Sequence, residues 1–220
     1  FGLLLLLYLF LAAVVRKADR IIEAQAIDRA ERERAAIHQA LHDPLTRLPN
    51  RAAFGQRLTE LVSGGRRADA GLALLFVDLD RFKLVNDSLG HHAGDALLTD
   101  VATRIRACLG QEDLLFRMGG DEFTILLPGA LARDRSPVLA GRIVEAIARP
   151  FDCQGQELSV GASIGIAVFP DDGDTADELL RNADAAMYGA KAGGRGAYAF
   201  YRADLTRDAA ARLELEAALK

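Results

Sequence analysis

Two acidic pairs in this 220-residue chain, Asp78 with Asp80 in "FVDLD" and Asp121 with Glu122 in "RMGGDEF", carry the residue types that hold a hard cation. Carboxylates gathered at strand ends repel one another unless a cation lies between them, and Mg²⁺ (or Mn²⁺), which takes oxygen ligands, is the natural one. Either pair alone equally describes a solvated acidic turn. Their conjunction with Gly119 and Gly120, glycines that let a backbone approach a bulky ligand, points instead to a site for a metal and its substrate.

The segment "DLDRFKLVNDSLGHHAGD" is denser in polar residues than a simple connection requires. Asn86 and Asp95 flank a turn at Gly90. A carboxylate that accepts from both N1–H and the exocyclic N2 amine suits a guanine edge and would be left unpaired by adenine. The same two residues would also serve as a turn cap and as a favourable charge at a helix start. Lys83, Lys191 and Arg195 could supply cations for phosphate. "KAGGRG" has no hydroxyl after its lysine, so it is no Walker loop, and a glycine-rich helix stop with stray charge is its plain alternative. His91 and His92 are adjacent without metal-ligand spacing, which makes them structural or substrate-lining.

The elements that must position these residues alternate in type. Helices are expected over 51–62, 94–109, 136–148 and 175–192, and strands over 71–80, 158–169 and near 198–201. Between them "DLLFRM" and "EFTILL" are separated only by Gly119, Gly120 and Asp121, a strong hairpin signal because tight turns need positive φ. The order is β-α-β-β-α-β with additions, an α+β chain of the ferredoxin-like, split-βαβ type. In such a sheet the strand ending at Asp80 neighbours the hairpin, so the two acidic clusters can converge.

A net charge of −4, with half the residues apolar and a quarter charged, excludes a disordered chain and argues against a general nucleic-acid binder. Cys108 and Cys153 show no ligand or disulfide spacing and are expected as two reduced, packed cysteines. Residues 1–15, "FGLLLLLYLFLAAVV", are uncharged and end at Arg16 and Lys17. They suggest the C-terminal part of a transmembrane helix, with everything after Lys17 cytoplasmic; a buried core helix is the alternative. Residues 16–42 form a charged helix with Ile27, Ala30, Ile37 and Leu41 on an a/d seam interrupted by Arg34, either a two-stranded parallel coiled coil or a single solvated spacer. Asp43-Pro44 then ends that helix. The folded domain is expected over 43–202, and 203–220 as an exposed helix leaving it.

Four blocks in order, "DPLTRLPNR", "DLDRFKLVNDSLGHHAGD", "RMGGDEF" and "ADAAMYGAKAGGRG", resemble the GGDEF domain of bacterial diguanylate cyclases over about 41–201. The resemblance implies a nucleotidyl cyclase, polymerase-palm-like fold. It implies that Asp78, Asp121 and the backbone carbonyl of Leu79 bind Mg²⁺ (or Mn²⁺), and that Glu122 adds a metal ligand or activates the 3'-hydroxyl. Asn86 and Asp95 would read guanine and Leu45 would line the base pocket. Phosphates would rest on the backbone of Arg81, Phe82 and Lys83 and on Lys191 and Arg195. The reaction would join two GTP into cyclic di-GMP across a homodimer, at a bacterial inner membrane with the catalytic domain cytoplasmic. The family's inhibitory Arg-x-x-Asp corresponds to Gly110–Asp113, so Asp113 remains without its arginine and product inhibition there should be weak or absent. Gly196 replaces an often-seen Asn. The tail "RADLTRDAAARLELEAALK" looks like the helix leading into an EAL domain, and the alternative function is a catalytically silent GTP-binding module regulating such a phosphodiesterase.

Overall fold

The computed structural model describes residues 39–64, 71–153 and 156–202, with Gly2 and Gln25 besides. The expected transmembrane segment, nearly all of the expected coiled coil and the C-terminal tail lie outside them. Among the described residues no helix is long and apolar enough to cross a membrane. The chain divides into Phe1–Leu41 and His42–Lys220. In the first unit residues 39–41 are helical. The second unit holds the folded domain.

The elements of that domain are α1 (Arg51–Gly64), β1 (Leu72–Asp80), α2 (Phe82–Leu89), α3 (His91–Cys108), β2 (Leu114–Gly119), β3 (Glu122–Pro128), α4 (Ala132–Ala148), β4 (Phe151–Cys153), β5 (Gln156–Leu158), β6 (Gly161–Phe169), α5 (Ala176–Ala192) and β7 (Tyr198–Phe200). The main sheet runs β2-β3-β1-β6-β7, and β4-β5 form a separate hairpin. Four strands are antiparallel in the expected split-βαβ order, while β7 joins β6 in parallel as an edge.

Because side chains alternate along a strand, β1 serves two cores. Ala73, Leu75, Val77 and Leu79 pack with Leu97, Val101 and Ile105 of α3 and Leu139, Ile143 and Ile147 of α4. Leu72, Leu74 and Phe76 face the other way, with Phe54 and Leu58 of α1 and Leu179, Ala183 and Met187 of α5. This parity decides where the chemistry sits. Asp78 and Asp80 continue the even series and emerge on the α5 face.

Three elements differ from expectation. α2 occupies a stretch read only as a polar turn, and it meets α3 at Gly90 with φ 82°. α4 begins a turn before Pro137, a residue that looks like a helix start because it lacks an N–H. Pro137 leaves the Arg133 carbonyl without its backbone donor, and Ser136 Oγ donates to that carbonyl at 2.9 Å, which lets the helix run through. The β4-β5 hairpin was hidden because its strands have three residues each. Thr175 caps α5, accepting from the Glu178 N–H at 3.2 Å.

Candidate active site

Across the β1–β3 ladder Asp78 pairs directly with Glu122. Directly opposed side chains in an antiparallel pair have Cβ atoms about 5 Å apart, and like charges there destabilise the sheet. The hairpin tip is Gly120–Asp121, reached through a register shift between Arg117 and Gly119. Gly119 and Gly120 have φ 135° and 53°, conformations that side chains resist, and a Cβ on either would meet nothing within 4 Å. Backbone geometry, not crowding by the chain, therefore demands these glycines, and the space beside them is open.

The carboxylates form an electrostatically uncomfortable corner. Asp78, 8% exposed, has its carboxyl pushed up by burial; Lys191 opposes this, and Asp121 and Asp80 add to it. Glu122 is raised by burial, then by Asp78, Asp184 and Asp121, with Lys191 again opposing. Asp184 is raised by burial against the pull of Lys191. Among the described residues the cation that meets them is Lys191, whose Nζ lies 2.6 Å from Asp78 Oδ1. Asp184 stands seven residues before Lys191, two turns back on one face of α5.

No three Asp, Glu, His or Cys side chains among the described residues make a ready cage for a metal. Mg²⁺ commonly binds through one or two carboxylates plus substrate phosphates rather than all-protein cages. Two opposed, destabilised carboxyls at the mouth of an open tip are donors of the type such an ion takes. The Leu79 side chain is buried in the α3/α4 core, leaving only its backbone for the site, where its N–H donates to the Asp121 carbonyl at 3.4 Å.

Asp80, expected to join the acidic cluster, does something else. Its Oδ1 accepts from Ser163 Oγ at 2.8 Å and its Oδ2 from the Gly196 N–H at 2.9 Å, and it is only 6% exposed. The carboxylate is spent on the chain itself.

Of the expected nucleotide contacts, Asn86 lies on α2 with its Oδ1 buried and without a hydrogen-bond partner, against Gly94, where any Cβ would overlap that oxygen. A buried acceptor without a donor is costly, so the orphan Oδ1 fits a ligand that brings an N–H. Asp95, next to Gly94, is exposed just beyond the first turn of α3. Arg81 adopts φ 62° before α2, Phe82 is buried, Lys83 is exposed, and Leu45 packs on the α3/α4 core. Arg195, φ 65°, is exposed in the loop after α5. His91 and His92 are exposed at the start of α3, and Cys108 is a free, half-buried thiol.

Sequence reasoning missed a clamp. Arg117 Nη1 reaches Asp43 Oδ1 at 2.8 Å, its Nη2 and Nε donate to the Gly120 carbonyl at 2.8 and 3.3 Å, and its N–H donates to the Pro49 carbonyl at 3.0 Å. Burial would raise the Asp43 carboxyl, but hydrogen bonds from Thr46 and Arg117, and the charge of Arg117, hold it below its usual range. The "DPLTRLPN" segment is thereby tied to the tip. Arg117→Ala is expected to cost about 2 kcal/mol, less than the about 3–5 kcal/mol of a fully buried broken pair because neither side chain is wholly enclosed. Urea denaturation reads this as a lower midpoint; an unchanged midpoint would contradict it.

An antiparallel split-βαβ sheet with an acidic hairpin beside its central strand defines a nucleotidyl cyclase-type domain, and residues 40–197 match the family described as "Diguanylate cyclase, GGDEF domain". The chain belongs to that family. Over 209 residues it is 43% identical to the bifunctional diguanylate cyclase/cyclic di-GMP phosphodiesterase MucR of Pseudomonas aeruginosa, covering 93% of this chain and 30% of MucR. It is 44% identical over 170 residues to diguanylate cyclase TpbB of the same species, covering 76% of this chain and 39% of TpbB. The chain thus spans well under half the length of these relatives. Among solved structures, the GGDEF domain of TpbB superposes with a TM-score of 0.72 at 41% identity, covering 76% of this chain and 97% of that one. The coiled coil and GGDEF domain of DgcB from Caulobacter crescentus, in complex with c-di-GMP, gives a TM-score of 0.75 at 27% identity, covering 84% and 97%.

Proposed function

We propose that this domain is an active diguanylate cyclase that joins two GTP molecules into cyclic di-GMP with release of pyrophosphate. The observation that carries the reading is the Asp78–Glu122 pair, opposed across β1 and β3 with Asp121 at the tip and Lys191 as counter-charge. Asp78, Asp121 and the Leu79 carbonyl would hold Mg²⁺ or Mn²⁺, with Glu122 completing the set. When bound, the metal neutralises phosphate charge and makes the attacking hydroxyl more acidic.

The chain's own residues do the rest. Asn86 presents a buried acceptor that the guanine N2 amine can satisfy, and Asp95 can accept from N1–H and N2, so adenine is disfavoured. Lys191, Arg195 and the backbone of Arg81, Phe82 and Lys83 carry the phosphates, while Leu45 lines the base. The 3'-hydroxyl of one GTP attacks the α-phosphorus of the other in line, so catalysis is mainly positioning and charge stabilisation. Each domain holds one GTP, and the product requires two copies facing each other. A coiled coil over 16–42 below a membrane segment at 1–15 would bring them together; the DgcB structure comprises a coiled coil and a GGDEF domain.

With GTP and Mg²⁺, the rate per chain should rise with chain concentration, vanish with EDTA and be absent with ATP. Concentration-independent turnover would remove the facing-copies element. A second reading is favoured by the names of two relatives, bifunctional MucR and cyclic di-GMP phosphodiesterase NbdA: a silent GTP-binding module that regulates a fused phosphodiesterase. It predicts GTP binding without product.

Product inhibition through Asp113 should be negligible. Asp113 Oδ1 is paired with Arg135 Nη2 at 2.7 Å, its Oδ2 accepts from the Gly110 N–H at 2.7 Å, and its side chain is 2% exposed. A carboxylate already satisfied and buried offers nothing to a guanine. Initial rates with added micromolar cyclic di-GMP should be unchanged; strong inhibition that Asp113→Ala abolishes would contradict this.

A further inference from the structure

We propose that Asp80 is a positioning residue for the phosphate side of the site, holding the loop that carries Arg195 rather than sharing the metal. This role rests on the cyclase reading. Asp80 is the last residue of β1 and pairs with Gly161, the first of β6. A Cβ at Gly161 would lie 2.8 Å from Asp80 Oδ2, so only glycine there leaves the carboxylate its place over the strand. From that place it bridges three segments. Ser163 Oγ, fully buried on β6, donates to Oδ1 at 2.8 Å, and the Gly196 N–H donates to Oδ2 at 2.9 Å, 116 residues away in sequence.

The loop it grips turns through an unfavourable backbone between two tethered ends. Gly194, Arg195 and Gly196 have φ 130°, 65° and 58° in succession, and Arg195 is in the left-handed region that side chains disfavour. Such a conformation persists only when its surroundings over-determine it. Its start is tied back to α5, Gly194 N–H to the Lys191 carbonyl at 3.4 Å and Arg195 N–H to the Ala190 carbonyl at 3.2 Å, and its end to β6, where the Ile164 N–H donates to the Ala197 carbonyl at 2.9 Å. Asp80 supplies the charge-assisted bond that closes it, and does so two residues from Asp78, whose carboxylate meets Lys191. Asp78 and Asp80, alike in sequence, thus divide the work: one faces the corner where the metal and Lys191 meet, the other fixes the backbone of Arg195.

The two roles are separable by Asp80→Asn. An asparagine can accept from the Gly196 N–H through its Oδ1 and donate through its Nδ2 to Ser163 Oγ, so it preserves the bridge while removing the negative charge a metal ligand needs. In the 220-residue chain, Asp80→Asn should keep the Mg²⁺ dependence of turnover and raise KM for GTP less than Asp80→Ala does, because its neutral amide keeps the Gly196 bond but not the charge behind it. Asp80→Ala should raise KM for GTP about tenfold with a smaller change in kcat, the loss expected for one charge-assisted hydrogen bond. Ser163→Ala, which leaves the Gly196 bond intact, should give a weaker shift in the same direction. Binding of inorganic pyrophosphate with Mg²⁺ by calorimetry should weaken in Asp80→Ala and clearly less in Asp80→Asn, a readout that stands even if the chain makes no cyclic di-GMP. Asp80→Asn as inactive as Asp78→Asn would make Asp80 a metal ligand and overturn the proposal. So would an Asp80→Ala protein with unchanged KM and pyrophosphate affinity.

Discussion

Asp78→Ala is expected to lower cyclic di-GMP synthesis about a thousandfold or more while leaving the fold at least as stable as wild type. The two halves of that expectation have one cause. Asp78 is buried opposite Glu122, and its carboxyl is raised by that burial and by its acidic neighbours. A carboxyl raised on folding costs stability at neutral pH, and the cost fades as the pH falls through the raised folded value towards the unfolded one. Removing the side chain removes that cost, relieves Glu122, and forfeits only the pair with Lys191. A protein that loses activity without losing stability marks a residue kept for chemistry. Thermal melts beside activity assays test this; an Asp78→Ala chain that melts several degrees lower would show the carboxylate to be structural.

Gly165→Ala should do the opposite and damage the fold. Gly165 is in the middle of β6 where α5 crosses it. A Cβ there would overlap the Ala183 carbonyl oxygen and the Met187 nitrogen and lie 2.9 Å from the Ala186 carbonyl carbon. These are helix backbone atoms with no rotamer to change, so α5 itself must move. Overpacking usually costs about 1–3 kcal/mol, and a backbone clash belongs at or above the top of that range. Because α5 carries Lys191 and Asp184 and leads into the Arg195 loop, activity should fall with stability. A urea midpoint within error of wild type would contradict the packing described. By contrast, Gly55, exposed on α1 with nothing near its missing Cβ, should accept alanine without loss.

Much of this was legible in the sequence because periodicity records burial. The apolar run of β1, the hairpin glycines and the helix ending at Gly193-Gly194 each have one physical reading, and the order of elements then fixes which strands are neighbours. The convergence of Asp78 with Asp121 and Glu122 came from that order alone. What stayed hidden depends on side-chain direction. Asp78 and Asp80 look equivalent in "DLD", and only the distance from Asp80 to Ser163 and Gly196 separates them. Arg117 reads as one more charge before a turn, although an arginine inside an otherwise apolar strand is a signal that it has a partner to meet. Asp184 could have been found by its seven-residue spacing from Lys191. The α2 helix escaped notice because it is only eight residues long and has no side-chain cap at its start to mark it.

Cyclase activity depends on whether the Asp78, Asp121 and Glu122 corner is a working reaction centre. The most direct measurement is chromatography of nucleotides and assay of pyrophosphate after incubating the 220-residue chain with GTP and Mg²⁺, beside Asp78→Ala and Asp121→Ala. The prediction is cyclic di-GMP with two pyrophosphates released per product by the wild-type chain, and neither product from the variants. Turnover that survives both substitutions, or GTP that the wild-type chain binds and leaves intact, would contradict it.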